Sequence, residues 1–207
     1  MKPSVLCINR SAIVTQGIPA NNAHGIYPFD LSQVAQNQYH FINRDVVDSI
    51  EKDKHLIGCA LPQILGYCVI KCGNHVLTYA RKRGAEARLH GNRSLGFGGH
   101  VDIDDYSKHQ AKPYFAALAY SIERELFEEV GLQIPISMSM CDTLIVDQSN
   151  PVGSVHVGLP ILINVEFRNE LEIDYSEIAD PQWISIQQLK EDIALYENWS
   201  QLLIEKF

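Results

Sequence analysis

The sequence predicts an α+β fold with a mixed β-sheet, and three observations predict it. Short β-rich runs and helical runs are interspersed without the regular strand–helix alternation of a doubly wound sheet. Two β-rich runs, Ile64–Lys71 and Val76–Arg81, flank the turn signal Cys72-Gly73-Asn74-His75 and read as a hairpin. From Pro113 to Val130 the pattern is helical, with Leu118, Ile122 and Leu126 four apart on a buried face.

The remaining elements follow in chain order. Residues 4–8 read as a short strand, and Gln16 to Pro28 as a loop rich in Gly, Pro and Asn. Asp30–Val34 suits one helical turn. Asp45 to Lys52 has helical spacing, with Val46, Val47 and Ile50 on one side. Three glycines at 96, 98 and 99 demand unusual backbone angles or close approach by another group. The segment from Tyr106 to Lys112 is polar and reads as a loop. Pro113 suits the first helical position, and Gly131 a helix C-cap. Cys141–Asp147 reads as a strand and Gln148–Ser154 as a loop. Val155–Phe167 is a β run whose Pro160 implies an edge, a bulge or a break. Gln182–Ile184 is a short strand. Ser185 caps a helix through Leu189, and Tyr196–Glu205 forms a last helix with Trp199, Leu202 and Leu203 inward.

Composition excludes several classes. With 207 residues, 46% hydrophobic and 20% charged, the chain suits one sizeable globular domain plus an extension, or two small domains. A net charge of −8 argues against a general nucleic-acid or anionic-membrane surface but leaves room for a local basic pocket. No apolar run approaches the ~20 residues of a membrane span, and the first ten residues are too weakly apolar for a secretory signal. The five cysteines, odd in number and irregularly spaced, read as buried thiols in a reducing cytoplasm.

The chemistry gathers at Arg124-Glu125-Leu126-Phe127-Glu128-Glu129-Val130-Gly131-Leu132. Spacings of i, i+3 and i+4 put Glu125, Glu128 and Glu129 on one helix face, and Arg124 can pair with Glu128. Such a face is either solvated or holds a cation, and an oxygen-only donor set suits Mg²⁺ or Mn²⁺ rather than zinc. Arg81, Lys82, Arg83, Arg88 and Arg93 concentrate positive charge in an acidic chain. They are either a solvated loop or a phosphate contact, because arginine matches phosphate oxygens in bidentate geometry.

The string at 124–132, preceded by Gly98-Gly99, resembles the signature of the Nudix hydrolases, the MutT-type pyrophosphohydrolases. The helical half is matched at every defined position, and the likeness covers about residues 61–207, leaving residues 1–60 as an N-terminal extension packed on the core. Gly99 lies 25 positions before Arg124 where the family has 14, so an insertion of 11 residues separates glycine loop from helix. The family's outer glutamate is absent or replaced by Asp105.

The resemblance implies an α/β/α sandwich with a mixed sheet and a set of roles. Glu125, Glu128 and Glu129 would be divalent-metal ligands, with the backbone carbonyl of Gly98 or Gly99 helping to hold the cation. Arg124 would orient the glutamates. The general base is variable in the family; Glu177, six before Trp183, is the first candidate, with Glu170, Glu172, Asp174 and Glu129 as others. His100, next to the double glycine, would contact substrate or a metal-bound water, and Arg81, Arg83 and Arg88 substrate phosphates. Core packing is the default for Phe97 and a surface role for Tyr114.

The implied activity is Mg²⁺- or Mn²⁺-dependent cleavage of a diphosphate bond in a nucleoside diphosphate linked to another moiety. The substrate would be a small phosphorylated molecule and the location the cytoplasm, with no nucleic-acid polymer or membrane as partner; a homodimer stays open. Two alternatives remain. One is a non-catalytic ligand sensor on the same fold. The other is an enzyme like isopentenyl diphosphate isomerase, although none of Cys59, Cys68 and Cys72 has the sequence context of that family's catalytic cysteine.

Overall fold

The computed structural model describes residues 3–52, 61–81, 92–108, 114–135, 142–176 and 178–207. Strands and helices are mixed, as the sequence predicts. The chain divides into two compact units. The first comprises Met1–Gly66, Gly99–Ile122 and Pro135–Pro160, the second Tyr67–Gly98, Glu123–Ile134 and Ile161–Phe207.

In the first unit, strand β1 (Ser4–Ile8) pairs antiparallel with β3 (Tyr39–Asn43) along its whole length. On its other side it meets the segment after the double glycine: Leu6 N–H donates to the Val101 carbonyl at 2.9 Å, and Val5 bridges Asp102. The short helix α1 (Arg10–Val14) follows β1, and helix α2 (Arg44–Lys52) follows β3. Of the expected apolar side of α2, Val47 is buried, whereas Val46 is exposed; the Ile50 side chain lies outside the description.

Strand β2 (His24–Pro28) lies in the stretch expected to be a loop. It pairs in full with β8 (Thr143–Asp147), and that distant partner overrides its weak local β signal. A 3-10 turn at Leu31–Gln33 is capped by the Asp30 carboxylate, which accepts from Ser32 N–H. Beyond β8, a one-turn helix α5 (Pro151–Ser154) replaces the expected loop, capped by Asn150 accepting from Gly153 N–H at 2.9 Å. Strand β9 (His156–Asn164) runs through Pro160. Its antiparallel ladder with β8 ends at Gly158, so the missing N–H interrupts no bond to that neighbour.

The expected hairpin forms. Strand β4 (Gln63–Cys72) turns at Gly73, whose φ of 57° suits glycine, into β5 (His75–Arg81). In the first unit Gln63 N–H donates to Val155 O; in the second, Val165 N–H donates to Lys71 O. Strands β4 and β9 therefore run in the same direction while their other pairings are antiparallel, which makes the sheet mixed. In the second unit β5 also pairs with β6 (Arg93–Ser94) and β10 (Ile178–Ser185), and β4 with β7 (Gly96–Phe97). Helices α6 (Ile186–Glu191) and α7 (Asn198–Ile204) close the chain. Ser185 caps α6 as expected, accepting from Gln188 N–H. In α7, Leu202 and Ile204 are buried, and Trp199 and Leu203 half-buried.

The segment expected to be a polar loop contains helix α3 (Ile103–Lys108). Its start is fixed by Asp105, whose carboxylate accepts from Asp102 N–H at 3.0 Å. Helix α4 (Tyr114–Val130) then buries Leu118, Ile122, Leu126 and Val130. Tyr114 is half-buried rather than on the surface, because four rings meet there. Its centroid lies 5.1 Å from Tyr106 in a stacked arrangement, 5.5 Å from Tyr39 and 5.9 Å from Phe41. Tyr39, Phe41, Tyr106 and Tyr114 thus form one aromatic seam within the first unit. The Tyr39 hydroxyl within it is buried without a hydrogen-bond partner.

Candidate functional site

The carboxylates stand on the last turns of α4. The apolar stripe through Ile122, Leu126 and Val130 turns the opposite face outward, leaving Glu125 and Glu129 half-buried and Glu128 exposed. Arg124 Nη1 donates to Glu125 Oε1 at 2.8 Å and to Glu128 Oε2 at 2.9 Å. One guanidinium nitrogen therefore offsets the repulsion between two neighbouring acids. The i+4 pairing expected from sequence is present, and the contact to the adjacent Glu125 adds to it.

Glu129 points to the glycine loop. Its Oε2 accepts from Gly98 N–H at 3.1 Å. Gly98 has φ of 141°, a region that side chains other than hydrogen rarely tolerate, and this conformation aims the amide at the carboxylate. The helix ends at Gly131, φ 69°, where an added Cβ would come within 2.7 Å of Glu172 Cβ. Its last carbonyls are then satisfied from outside: Val130 O accepts from Glu172 N–H and Glu129 O from Asp174 N–H, both at 2.9 Å. Two of the candidate acids are thus anchored, through their backbone, beside the carboxylate turn.

All side-chain donors here are carboxylate oxygens, which is the chemistry that Mg²⁺ and Mn²⁺ take. Glu125 and Glu128 turn to Arg124 while Glu129 turns to Gly98. Among the described residues, no three His, Cys, Asp or Glu side chains converge on one ion position.

The first unit holds Gly99, His100 and Asp105. The His100 ring Nε2 lies 3.4 Å from His156 Nε2, and the Gln63 carboxamide nitrogen lies 2.9 Å from that same His156 atom. His156 Nδ1 is 2.8 Å from the Val152 carbonyl. Burial, then the neighbouring His156, then the charge of Arg44 push the His100 imidazole down to about 3, so it is neutral at ordinary pH. The Gln63 Oε1 atom is buried without a hydrogen-bond partner. Asp105, 2% exposed, is engaged with the Asp102 amide at the start of α3.

Other expected residues are less fully described. Arg81 lies in β5, its backbone opposite Ile178, with its side chain outside the description. Arg83, Arg88 and Glu177 lie outside the described residues, as does the Glu170 side chain. Arg93, from the same basic run, is engaged within the second unit, donating to Asp180 at 2.7 Å and to Thr78. Phe97 is fully buried, as expected. Of the described cysteines, Cys7 and Cys72 are free thiols and Cys68 is buried. Among the described residues no helix is long and apolar enough to cross a membrane. Sequence reasoning missed Gln63 and His156. Gln63 precedes one β-rich run and His156 lies at the start of another, where a single polar residue carries no spacing signal.

No family model matches the chain. It is 32% identical over 148 residues to the protein YmaB of Bacillus subtilis (strain 168), a match spanning 69% of each chain. Among solved structures it is similar to Tm1382, described as a candidate Nudix hydrolase, with a TM-score of 0.72 and 23% identity over 99% of this chain and 100% of that one. A NUDIX-family hydrolase from Clostridium perfringens matches 69% of this chain and 93% of its own, at 18% identity and a TM-score of 0.45.

Proposed function

The chain belongs to the Nudix hydrolase superfamily, and we propose that it is a metal-dependent hydrolase cleaving a diphosphate bond in a nucleoside diphosphate linked to another moiety. The observation that carries this reading is the bond from Gly98 N–H to Glu129, which sets the glycine loop against the carboxylate turn. Glu125, Glu128 and Glu129, with the Gly99 carbonyl, are the residues that would hold Mg²⁺ or Mn²⁺. When bound, such an ion neutralises diphosphate charge and makes a water more acidic.

The protein's own groups have distinct tasks in this reading. Arg124 holds Glu125 and Glu128 in fixed orientations. A carboxylate takes the proton of the attacking water; Glu177 is the first candidate, and Asp174, Glu172 and Glu129 are the others. Asp174 is supported by its backbone bond to the Glu129 carbonyl. Arg81, Arg83 and Arg88 would meet substrate phosphates, and His100 a polar substrate group. The reaction would take place in the cytoplasm.

A panel of nucleotide sugars, dinucleotides and nucleoside triphosphates, each with Mg²⁺ and Mn²⁺, tests the reading. Glu128→Gln and Glu129→Gln should each lower turnover about 100-fold or more with the fold intact by circular dichroism. Turnover indifferent to both variants would sink the mechanism. One observation favours the sensor instead: Asp105, standing where the resemblance expects the outer glutamate, is buried and accepts from the Asp102 amide. Ligand binding without turnover across the panel would select it.

A further inference from the structure

In the second unit, the successive residues Arg93 to Gly96 are each held by side chains or backbone from elsewhere in that unit. Helix α7, with its N-cap residue Glu197, holds the first three. Glu197 N–H donates to the Arg93 carbonyl at 3.0 Å. Glu197 Oε1 accepts from Ser94 Oγ at 2.6 Å and from the Tyr67 hydroxyl at 2.8 Å. Ser200 Oγ accepts from Leu95 N–H at 3.1 Å and lies 2.7 Å from the Tyr67 hydroxyl. With the Tyr67 hydrogen given to Glu197, the Ser200 hydroxyl is the donor in that pair. The Gly96 carbonyl accepts from the Tyr79 hydroxyl at 2.8 Å, and a Cβ added at Gly96 would fall 2.0 Å from Tyr67 Cζ. Ser94, Leu95 and Ser200 are fully buried, and Glu197 is 6% exposed. A carboxylate in such surroundings is tolerated only with its hydrogen bonds made, so these groups hold as a set.

Strands β6 and β7 are two residues each, too short to fix their own place by ladder bonds alone. Gly98 follows two residues after Gly96, within about 7 Å along the chain, so a displacement of the held segment reaches it. Its N–H is the group that meets Glu129 Oε2 at 3.1 Å. We propose, on the hydrolase reading, that Glu197 and Ser200 are positioning residues: the C-terminal helix sets where the glycine loop stands, and so where Gly98 presents its amide to Glu129. Packing alone would dock α7, as Trp199 does edge-on to the Tyr67 ring at 5.5 Å. The carboxylate and the hydroxyl add direction, because each fixes one residue on the approach to the loop. Glu197 therefore acts through Ser94 and Tyr67 rather than on the attacking water.

Hydrogen exchange of the Gly98 amide, followed in ¹⁵N-resolved spectra of the full chain without added metal, reads the loop directly. Ser200→Ala removes the acceptor of Leu95 N–H, and Glu197→Ala the acceptor of Ser94 Oγ. Each should speed Gly98 exchange about tenfold or more. Glu197→Gln keeps an acceptor toward Ser94 and Tyr67 and should recover most of the protection. Leu189→Ala, at a buried position on α6 outside the network, should lower the unfolding midpoint and leave Gly98 exchange within about twofold of the parent. With a substrate from the panel above, Ser200→Ala and Glu197→Ala should lower kcat about tenfold with KM changed less than twofold, and Glu197→Gln should restore most of it. Ser200→Ala, the smaller cut, carries the test if Glu197→Ala does not fold.

Unchanged Gly98 exchange in folded Ser200→Ala would overturn the proposal. So would equal speeding by Leu189→Ala, or full turnover in a variant whose Gly98 amide has opened. The amide is read without turnover, so absence of hydrolysis across the panel would count against the hydrolase reading alone.

Discussion

Arg124 gathers two carboxylates within a single turn of α4, while Tyr114, at the start of the same helix, gathers rings from β3 and α3. The first arrangement is local, charged and partly exposed. The second joins residues more than 70 positions apart, is apolar and is half-buried or buried. The contrast separates what a helix can do alone from what it does by collecting other segments. A carboxylate turn contributes little to stability, because ion pairs at its exposure are worth at most about 1 kcal/mol. An aromatic seam removes apolar surface from water and adds ring–ring contacts worth roughly 0.5–1.5 kcal/mol per pair.

Substitutions on the two sides should therefore fail in different assays. Arg124→Leu should lower hydrolysis roughly 100-fold, about 2.7 kcal/mol in the barrier, and leave the unfolding midpoint nearly unchanged. A large loss of stability instead would mean that the turn is structural. Tyr114→Ala should cost about 2 kcal/mol in urea unfolding, because it removes the ring that touches three others. A cost under 0.5 kcal/mol would mean that β3 is held without the seam.

Cys7 on β1 offers a pH test of how tightly that strand is packed. Burial pushes its thiol up to about 12, so the folded chain keeps the proton after the unfolded chain has lost it. That contribution is whole below the ordinary thiol range near 9. It is lost as pH rises from there toward 12, at about 1.4 kcal/mol per pH unit at the steepest. Cys7→Ala should flatten this slope in denaturant titrations between pH 8 and 10.5; an unchanged slope would place the effect elsewhere. The smallest change belongs to Tyr39→Phe. It deletes a hydroxyl that has no partner, so stability should hold within about 0.5 kcal/mol or rise.

The same contrast explains what was legible in the sequence. The glutamates, Arg124 and Gly131 were readable because i, i+3, i+4 and the helix stop are local relations. So were the β4–β5 hairpin, the Ser185 cap and the buried Leu118, Ile122 and Leu126. Strand β2 was not readable, because His-Gly-Ile-Tyr-Pro has weak strand preference and becomes a strand only against β8. Helix α3 was hidden by its polar residues, although Asp105 stabilises its start. Tyr114 looked like a surface residue because its partners come from β3, more than 70 positions away, and from the unread helix α3. His156 and Gln63 were hidden for the same reason: their meaning lies in a contact with His100, and the chain gives no spacing for it.

The bond between Gly98 and Glu129 closes a loop of 31 residues. Shortened by about 11 residues, that loop would lose about a third of its length, yet its closure would be easier by only about 0.4 kcal/mol. Length between the glycine loop and the helix is thus nearly neutral to folding. Such a segment can be exchanged like a cassette, its content free to diverge while both anchors stay put. In the present protein the aromatic seam ties this segment, through Tyr106 and Tyr114, to Tyr39 and Phe41 of β3. A shorter segment without Tyr106 and Tyr114 would keep both anchors but strip Tyr39 and Phe41 of these ring contacts, so β3 and the segment constrain one another.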